Sequence, residues 1–160
     1  MLNPNAMTAA QLAALLRPEA IRLDVQAREK VPALREIAAL LAGNAAVPDV
    51  PILTGEILAR EQESNTALGH GVALPHARTD HCRAIVIAVG RSAAGIDYRA
   101  PDGQPVKLVF LLGTPQAQVT EYLRVVGCLA RLLGNDAIRQ KLLAAPDARR
   151  FIAIIAGAKA

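Results

Sequence analysis

Apolar and polar positions along the chain predict a strand, two helices, several strands and then more helices. Leu12, Leu15 and Leu16 have helical spacing until Arg17-Pro18 interrupts it, and residues 1–10 ahead of them read as a loose lead-in. Ile21-Arg22-Leu23-Asp24-Val25 alternates apolar and polar side chains, as a strand with one buried face does. From Arg28 to Leu41, Leu34, Ile37, Ala38 and Leu41 recur at helical period. Pro32 fits the first turn there, and Gly43-Asn44 supplies the stop. Asp49 is placed to cap a second helix with Pro51 in its first turn. Val50, Leu53 and Ile57 form the inner stripe of that helix. Arg60 falls at the next step, at the carboxyl end where a cation suits the helix dipole.

Ser64–Gly71 has loop chemistry, and Val72–Pro75 reads as a short strand ending at His76. Ala84–Gly90 and Val106–Leu112 are uninterrupted apolar runs of buried-strand length, with Asp102-Gly103 marking a turn between them. Pro115 opens a long helix whose stripe is Val119, Tyr122, Val126, Leu129 and Leu133, closed by Gly134-Asn135. Helices over Asp136–Leu143 and Asp147–Ala156 follow. The order predicts an α/β fold: a single three-layer α/β/α domain with a mixed sheet flanked by helices on both faces.

Composition narrows the function. Across 160 residues, 52% are hydrophobic and 20% charged, which excludes a disordered tail. Phe110, Phe151, Tyr98 and Tyr122 are the whole aromatic complement, too few for a base-stacking platform. The net charge of +4 comes from scattered basic residues without a block that would mark a nucleic-acid arm. No nucleic-acid partner is expected. No apolar run reaches the roughly 18 residues of a membrane span, and Met1–Leu16 lacks the basic start of a secretory leader. Cys82 and Cys128 lie among apolar neighbours, as buried thiols in a reducing compartment do, so a cytoplasmic location is expected.

The chemistry concentrates in Arg60–Arg78, REQESNTALGHGVALPHAR, where two of the three histidines lie and His81 follows just beyond. A metal sensor built on His70, His76 and His81 is one reading. Extended chain would hold His70 and His76 about 20 Å apart, however, and their spacing matches no standard zinc pattern. Nucleophilic hydrolysis lacks a GxSxG elbow, and Gly69-His70-Gly71 is too short for a dinucleotide fingerprint. No cofactor is implied. His76 follows Pro75, whose φ is fixed, at the mouth of an apolar strand. An imidazole, with a reference pKa near 6.5, offers a ring-nitrogen lone pair that can attack phosphorus. A phosphoryl group arriving there needs positive charge and hydrogen-bond donors, and Arg60, Thr66 and Arg78 are near in sequence.

That stretch resembles the active-site signature of the fructose/mannitol-class (type 2) EIIA domains of the bacterial phosphoenolpyruvate-dependent phosphotransferase system. The shared pattern is Arg-Glu, a small-residue turn with Ser or Thr, Gly-x-Gly, two apolar–Ala steps and Pro-His. LLRPEAIRLDVQAREKVPALREIAALLA, DGQPVKLVFLLGTP and VTEYLRVVGCLARLL are similar to the family's opening strand and helix, late strand and long helix. The likeness covers roughly residues 11–157 and makes residues 11–160 one phosphocarrier domain behind the lead-in.

The resemblance implies that His76 accepts a phosphoryl group, through Nε2, from an HPr-like phosphocarrier protein. It implies transfer onward to a cysteine of an EIIB-like protein, with Arg60 and Thr66 at the site. Arg78, His70 and Gly71 complete the candidate binding set, His70 being open to two readings, pocket contact or turn cap. Without an accompanying EIIB or EIIC segment, the resemblance is to the nitrogen-regulatory branch, which binds target proteins according to its phosphorylation state. Homo-oligomerisation stays open. One departure stands out: the family's second histidine, in a His-Leu pair, is replaced here by Tyr122-Leu123. A phenol there donates one hydrogen bond but brings no cation near neutral pH. The alternative is an EIIA-shaped binding module that is never phosphorylated.

Overall fold

The computed structural model describes residues 3–158. The first helix, α1 (Ala9–Ala13), starts at a capping box in which Thr8 Oγ1 accepts from the Gln11 amide and Gln11 Oε1 accepts from the Thr8 amide. Met7 and Ala9 are buried, so the expected lead-in is already packed from Met7 onward; Met1 and Leu2 lie outside the described residues. The strand expected over 21–25 pairs regularly only at β1 (Ile21–Arg22), with one further bond from the Val25 amide to the Arg91 carbonyl at 2.9 Å. Beyond it the Glu36 carboxylate accepts the Gln26 and Ala27 amides, which takes the backbone off the ladder.

Helix α2 (Lys30–Ala38) ends in a single 3-10 turn, and α3 (Val50–Glu63) begins where Asp49 Oδ1 accepts the Ile52 amide at 3.0 Å. The segment expected as loop contains a strand. β2 (Ala67–Gly69) pairs antiparallel with β3 (Val72–Ala73) across His70-Gly71. His70 and Gly71 both have positive φ, +56° and +77°, the backbone of a two-residue turn matched to sheet twist. β4 (His76–Thr79) then begins at His76 instead of ending there.

β5 (Val86–Ile96) and β6 (Val106–Pro115) run longer than the sequence suggested and pair antiparallel. Pro115 ends β6 opposite Thr79, and α4 (Val119–Leu133) starts four residues later, capped without a side-chain bond at Gln118. A proline closes a strand without cost because it has no amide to pair further. Helices α5 (Asp136–Ala144) and α6 (Ala148–Ala156) complete the chain.

The strand order is β1-β5-β6-β3-β2, with β4 also on β6, beyond the end of β3. β1, β3 and β4 are parallel to their partners, and β2/β3 and β5/β6 are antiparallel, so the sheet is mixed. Successive residues of β6 serve opposite cores. Leu108, Phe110 and Leu112 pack with α1, α4, α5 and α6, while Val109 and Leu111 pack with α2 and α3. The layers are α/β/α, as the apolar runs predicted.

Two features of the packing locate the site. On α4 the buried positions are Val125, Cys128, Leu129, Leu132 and Leu133, a stripe rotated from the expected one. The first turns overhang the sheet, leaving Val119 and Leu123 39% and 59% exposed and Tyr122 half-buried. On the other face, α3 lies close over β6 at Gly113. A Cβ there would come within 2.7 Å of Cys82 Sγ and 3.1 Å of Leu53 Cδ2.

Candidate functional site

β3 and β4 lie along one line on β6, broken at Leu74-Pro75. Proline has no amide for the ladder, so a break falls there naturally. Pro75 O accepts from Leu112 N at 2.9 Å, while Leu74 N donates to Thr66 O at 3.1 Å. The Leu74 carbonyl is taken by the next residue but one: His76 Nδ1 lies 2.9 Å from it. A carbonyl only accepts, so Nδ1 carries the hydrogen, and in the neutral ring Nε2 holds the lone pair. Among the described residues Nε2 has no hydrogen-bond partner. His76 pairs with Leu112, whose side chain belongs to the α4-facing core, so its ring points to that side. There it meets Tyr122, with ring centroids 5.4 Å apart and planes tilted by 41°.

The other expected residues divide. Arg78 is two residues along β4 from His76 and therefore on the same strand face, with its side chain exposed. Arg60 is half-buried in the last turn of α3, the helix that packs on the opposite core. Neither arginine is in an ion pair among the described residues. Thr66 does not present its hydroxyl. Its hydrogen goes to Glu61 Oε1, and Tyr98 Oη lies 2.8 Å from Thr66 Oγ1.

His70 and Gly71 are away from the site. Gly71 O accepts the Lys107 and Leu108 amides, whereas His76 is level with Leu112, roughly 15 Å further along β6 at ~3.3 Å per residue. His70 sits exposed at the tip of the turn, so the turn-cap reading is the one its geometry matches.

The three histidines of the metal reading are not brought together either. Among the described residues no group of three His, Cys, Asp or Glu side chains converges. His81 Nε2 lies 3.8 Å from Glu56 Oε1 on the far side of β4. Cys82 is buried with α3, and burial, then the Glu56 charge, raises its pKa to about 11, too high for a thiolate near neutral pH. Cys128 is also raised by burial.

Two features escaped the sequence reading. Thr114, fully buried and level with Arg78 on the His76 face, has a hydroxyl without a partner among the described residues. Glu61 is buried although it sits in a charged run. Its position four residues after Ile57 and eight after Leu53, on the stripe of α3, was the available signal.

Residues 14–158 match the profile of the family described as "Phosphoenolpyruvate-dependent sugar phosphotransferase system, EIIA 2". The chain belongs to this family. A nitrogen regulatory protein of Bradyrhizobium diazoefficiens is 35% identical over 150 residues, covering 89% of this chain and 92% of that protein. The fructose-specific EIIABC component of Bacillus subtilis is also 35% identical, over 88% of this chain, but the chain spans only 22% of that longer protein. Among solved structures, the nitrogen regulatory protein IIA-Ntr of Neisseria meningitidis superposes with a TM-score of 0.84 at 30% identity, covering 90% of this chain and 98% of that one. In this EIIA chain Pro75 precedes His76 at the start of β4, with Tyr122 from α4 against the His76 ring. No helix among the described residues is long and apolar enough to cross a membrane.

Proposed function

We propose that this chain accepts a phosphoryl group on Nε2 of His76 from an HPr-like phosphocarrier protein and acts as a cytoplasmic phosphohistidine regulator. Its outputs are regulatory target proteins or an EIIB-like protein. The observation that carries the reading is the hydrogen bond from His76 Nδ1 to Leu74 O, which leaves one defined ring nitrogen with its lone pair. In the transfer, the bond from Nε2 to phosphorus forms as the bond from phosphorus to the donor breaks, and the bonding pair leaves with the donor. The Nδ1 hydrogen stays on the ring throughout, so no proton has to move. Arg60 and Arg78 supply positive charge to the new dianion, and Tyr122 supplies a hydrogen bond. Exposed Val119 and Leu123 lie beside Tyr122 on α4, so phosphorylation changes the charge at the edge of an apolar surface that a protein partner can read.

The nitrogen-regulatory relatives support the signalling output, and the EIIABC relative supports an EIIB-like recipient. Tyr122, standing where a second imidazole is expected, favours one rival: a module that binds partners without ever being phosphorylated. Incubation with the general phosphotransfer proteins and phosphoenolpyruvate, read by intact mass, separates the two. The expected result is a gain of one phosphoryl group that is absent in His76→Ala. A gain that survives His76→Ala refutes the site, and no gain in the wild type favours the rival.

A further inference from the structure

We infer that Glu61 is a positioning residue for His76, holding the Leu74 carbonyl that keeps the imidazole hydrogen on Nδ1. The functional half of this inference rests on His76 being the phosphoryl acceptor; the tautomer half does not.

Glu61 sits in the charged run Arg60–Glu63, yet its side chain is only 3% exposed. Burying a carboxylate costs free energy unless donors surround it, and here four do. Oε2 accepts from the Thr66 amide at 2.9 Å and from Lys30 Nζ at 3.4 Å. Oε1 accepts from the Tyr98 hydroxyl at 2.6 Å and from the Thr66 hydroxyl. The Lys30 ammonium also rests over the Tyr98 ring, 4.6 Å from its centroid. Asn65 Nδ2 donates to the Tyr98 and Arg99 carbonyls at 3.0 Å each, tying the turn after α3 to the same loop. That loop holds Arg99 in the left-handed region, φ +53°, a conformation that persists only when its surroundings impose it.

Glu61, held by Lys30 and Tyr98, fixes both the amide and the hydroxyl of Thr66, and Thr66 is linked to the site. Its carbonyl accepts the Leu74 amide at 3.1 Å, and the Leu74 carbonyl accepts His76 Nδ1–H at 2.9 Å. Pro75, with its fixed φ, joins the last two residues stiffly. A displacement of Thr66 therefore moves the Leu74 peptide, and without that acceptor either ring nitrogen can hold the hydrogen. When Nε2 holds it, the lone pair faces Leu74 and cannot reach phosphorus. The stripe Leu53–Ile57–61 would accept an apolar residue for packing alone. A carboxylate there serves the placement of Thr66.

The test uses Glu61→Gln and, as the milder variant, Tyr98→Phe, in the full chain. A glutamine nitrogen toward Thr66 N and Lys30 loses both of those bonds, and toward the two hydroxyls it makes Tyr98 and Thr66 accept instead of donate, so the hold on Thr66 is weakened in either orientation. The first readout is the 15N shifts of the His76 ring in the unphosphorylated protein, which report the tautomer without any transfer. The second is the rate of phosphoryl acceptance from the phosphocarrier protein. The expected result is a population of Nε2–H in Glu61→Gln above the wild-type level, a smaller rise in Tyr98→Phe, and acceptance slowed about tenfold in Glu61→Gln. An unchanged tautomer in a folded variant overturns the inference, even where the rate falls, because slowing alone would mark a purely structural residue. If wild type is never phosphorylated, the ring shifts still decide the positioning claim, while the carrier reading fails separately.

Discussion

Tyr122→Phe removes one oxygen from the site and little else. The ring that stands 5.4 Å from the His76 imidazole is kept, so its contact and the course of α4 are preserved. What goes is the hydroxyl proposed to donate to a phosphoryl oxygen. A hydrogen bond to a charged acceptor contributes about 1.5–3 kcal/mol. At about 1.4 kcal/mol per tenfold in rate, that range spans roughly tenfold to a hundredfold. Tyr122 is half-buried, so water can replace part of what is lost, and the expected slowing lies near tenfold. Single-turnover phosphorylation by the phosphocarrier protein, quenched on the millisecond scale, measures it, with thermal unfolding as the control for an intact fold. A phenylalanine variant within twofold of wild type, beside a Tyr122→Ala variant that is much slower, would show that the ring matters and the hydroxyl does not. The account of how this site replaces a second imidazole would then be wrong.

Two stability predictions follow from the packing around the site. The Cys82 thiol is raised by burial and by Glu56 to about 11, so the unfolded chain loses this proton first as pH rises. Stability is therefore complete below about pH 8.5 and falls toward pH 11, by about 3 kcal/mol at ~1.4 kcal/mol per unit. Tyr98, also raised by burial and by its bond to Glu61, steepens the loss above about pH 10. Melting curves from pH 7 to 10.5 under reducing conditions should show this, and Cys82→Ala should flatten the slope above pH 9; identical slopes would contradict it. Gly113→Ala puts a methyl 2.7 Å from Cys82 Sγ and 3.1 Å from Leu53 Cδ2 of α3, so Cys82 must move and Leu53 give way, at about 1–3 kcal/mol of overpacking. The melting temperature should drop by roughly 3–10 °C, and an unchanged value would mean Gly113 is not packed as closely against Cys82 and Leu53 as described.

What the sequence made legible was periodic and local. The runs Ala84–Gly90 and Val106–Leu112 named the central strands because both faces of β5 and β6 are covered, leaving no polar alternation to read. Asp49 and Pro51 marked the start of α3 correctly because capping is decided by neighbouring residues. The start of α4 was misread because Pro115 suits a first helical turn and a strand end equally well, and only pairing with Thr79 decides between them. At the site, the Pro-His pair pointed to His76, and the expected inward Tyr122 does meet it. Thr66 was misjudged because no local signal shows that Tyr98, far along the chain, arrives to share its hydroxyl with Glu61. His70 looked chemical in sequence, but its exposed positive-φ position makes it part of the turn.

The physical origin of the site lies in how a sheet edge is left unfinished. At Leu74 the strand has one neighbour, β6, on its inner side, while on the outer side β2 reaches only as far as the amide bond to Thr66. The Leu74 carbonyl faces that outer side with no strand left to donate to it. A buried carbonyl without a donor costs about 1–3 kcal/mol, and Pro75, the next residue, has no amide with which to restart the ladder locally. The imidazole of His76 folds back and supplies the missing donor. The same bond that completes the backbone also decides which ring nitrogen is left nucleophilic. In this chain the repair of a broken ladder and the preparation of the proposed phosphoryl acceptor are one interaction, so a change that restored regular pairing at Leu74 would remove the reason for the ring to be held as it is.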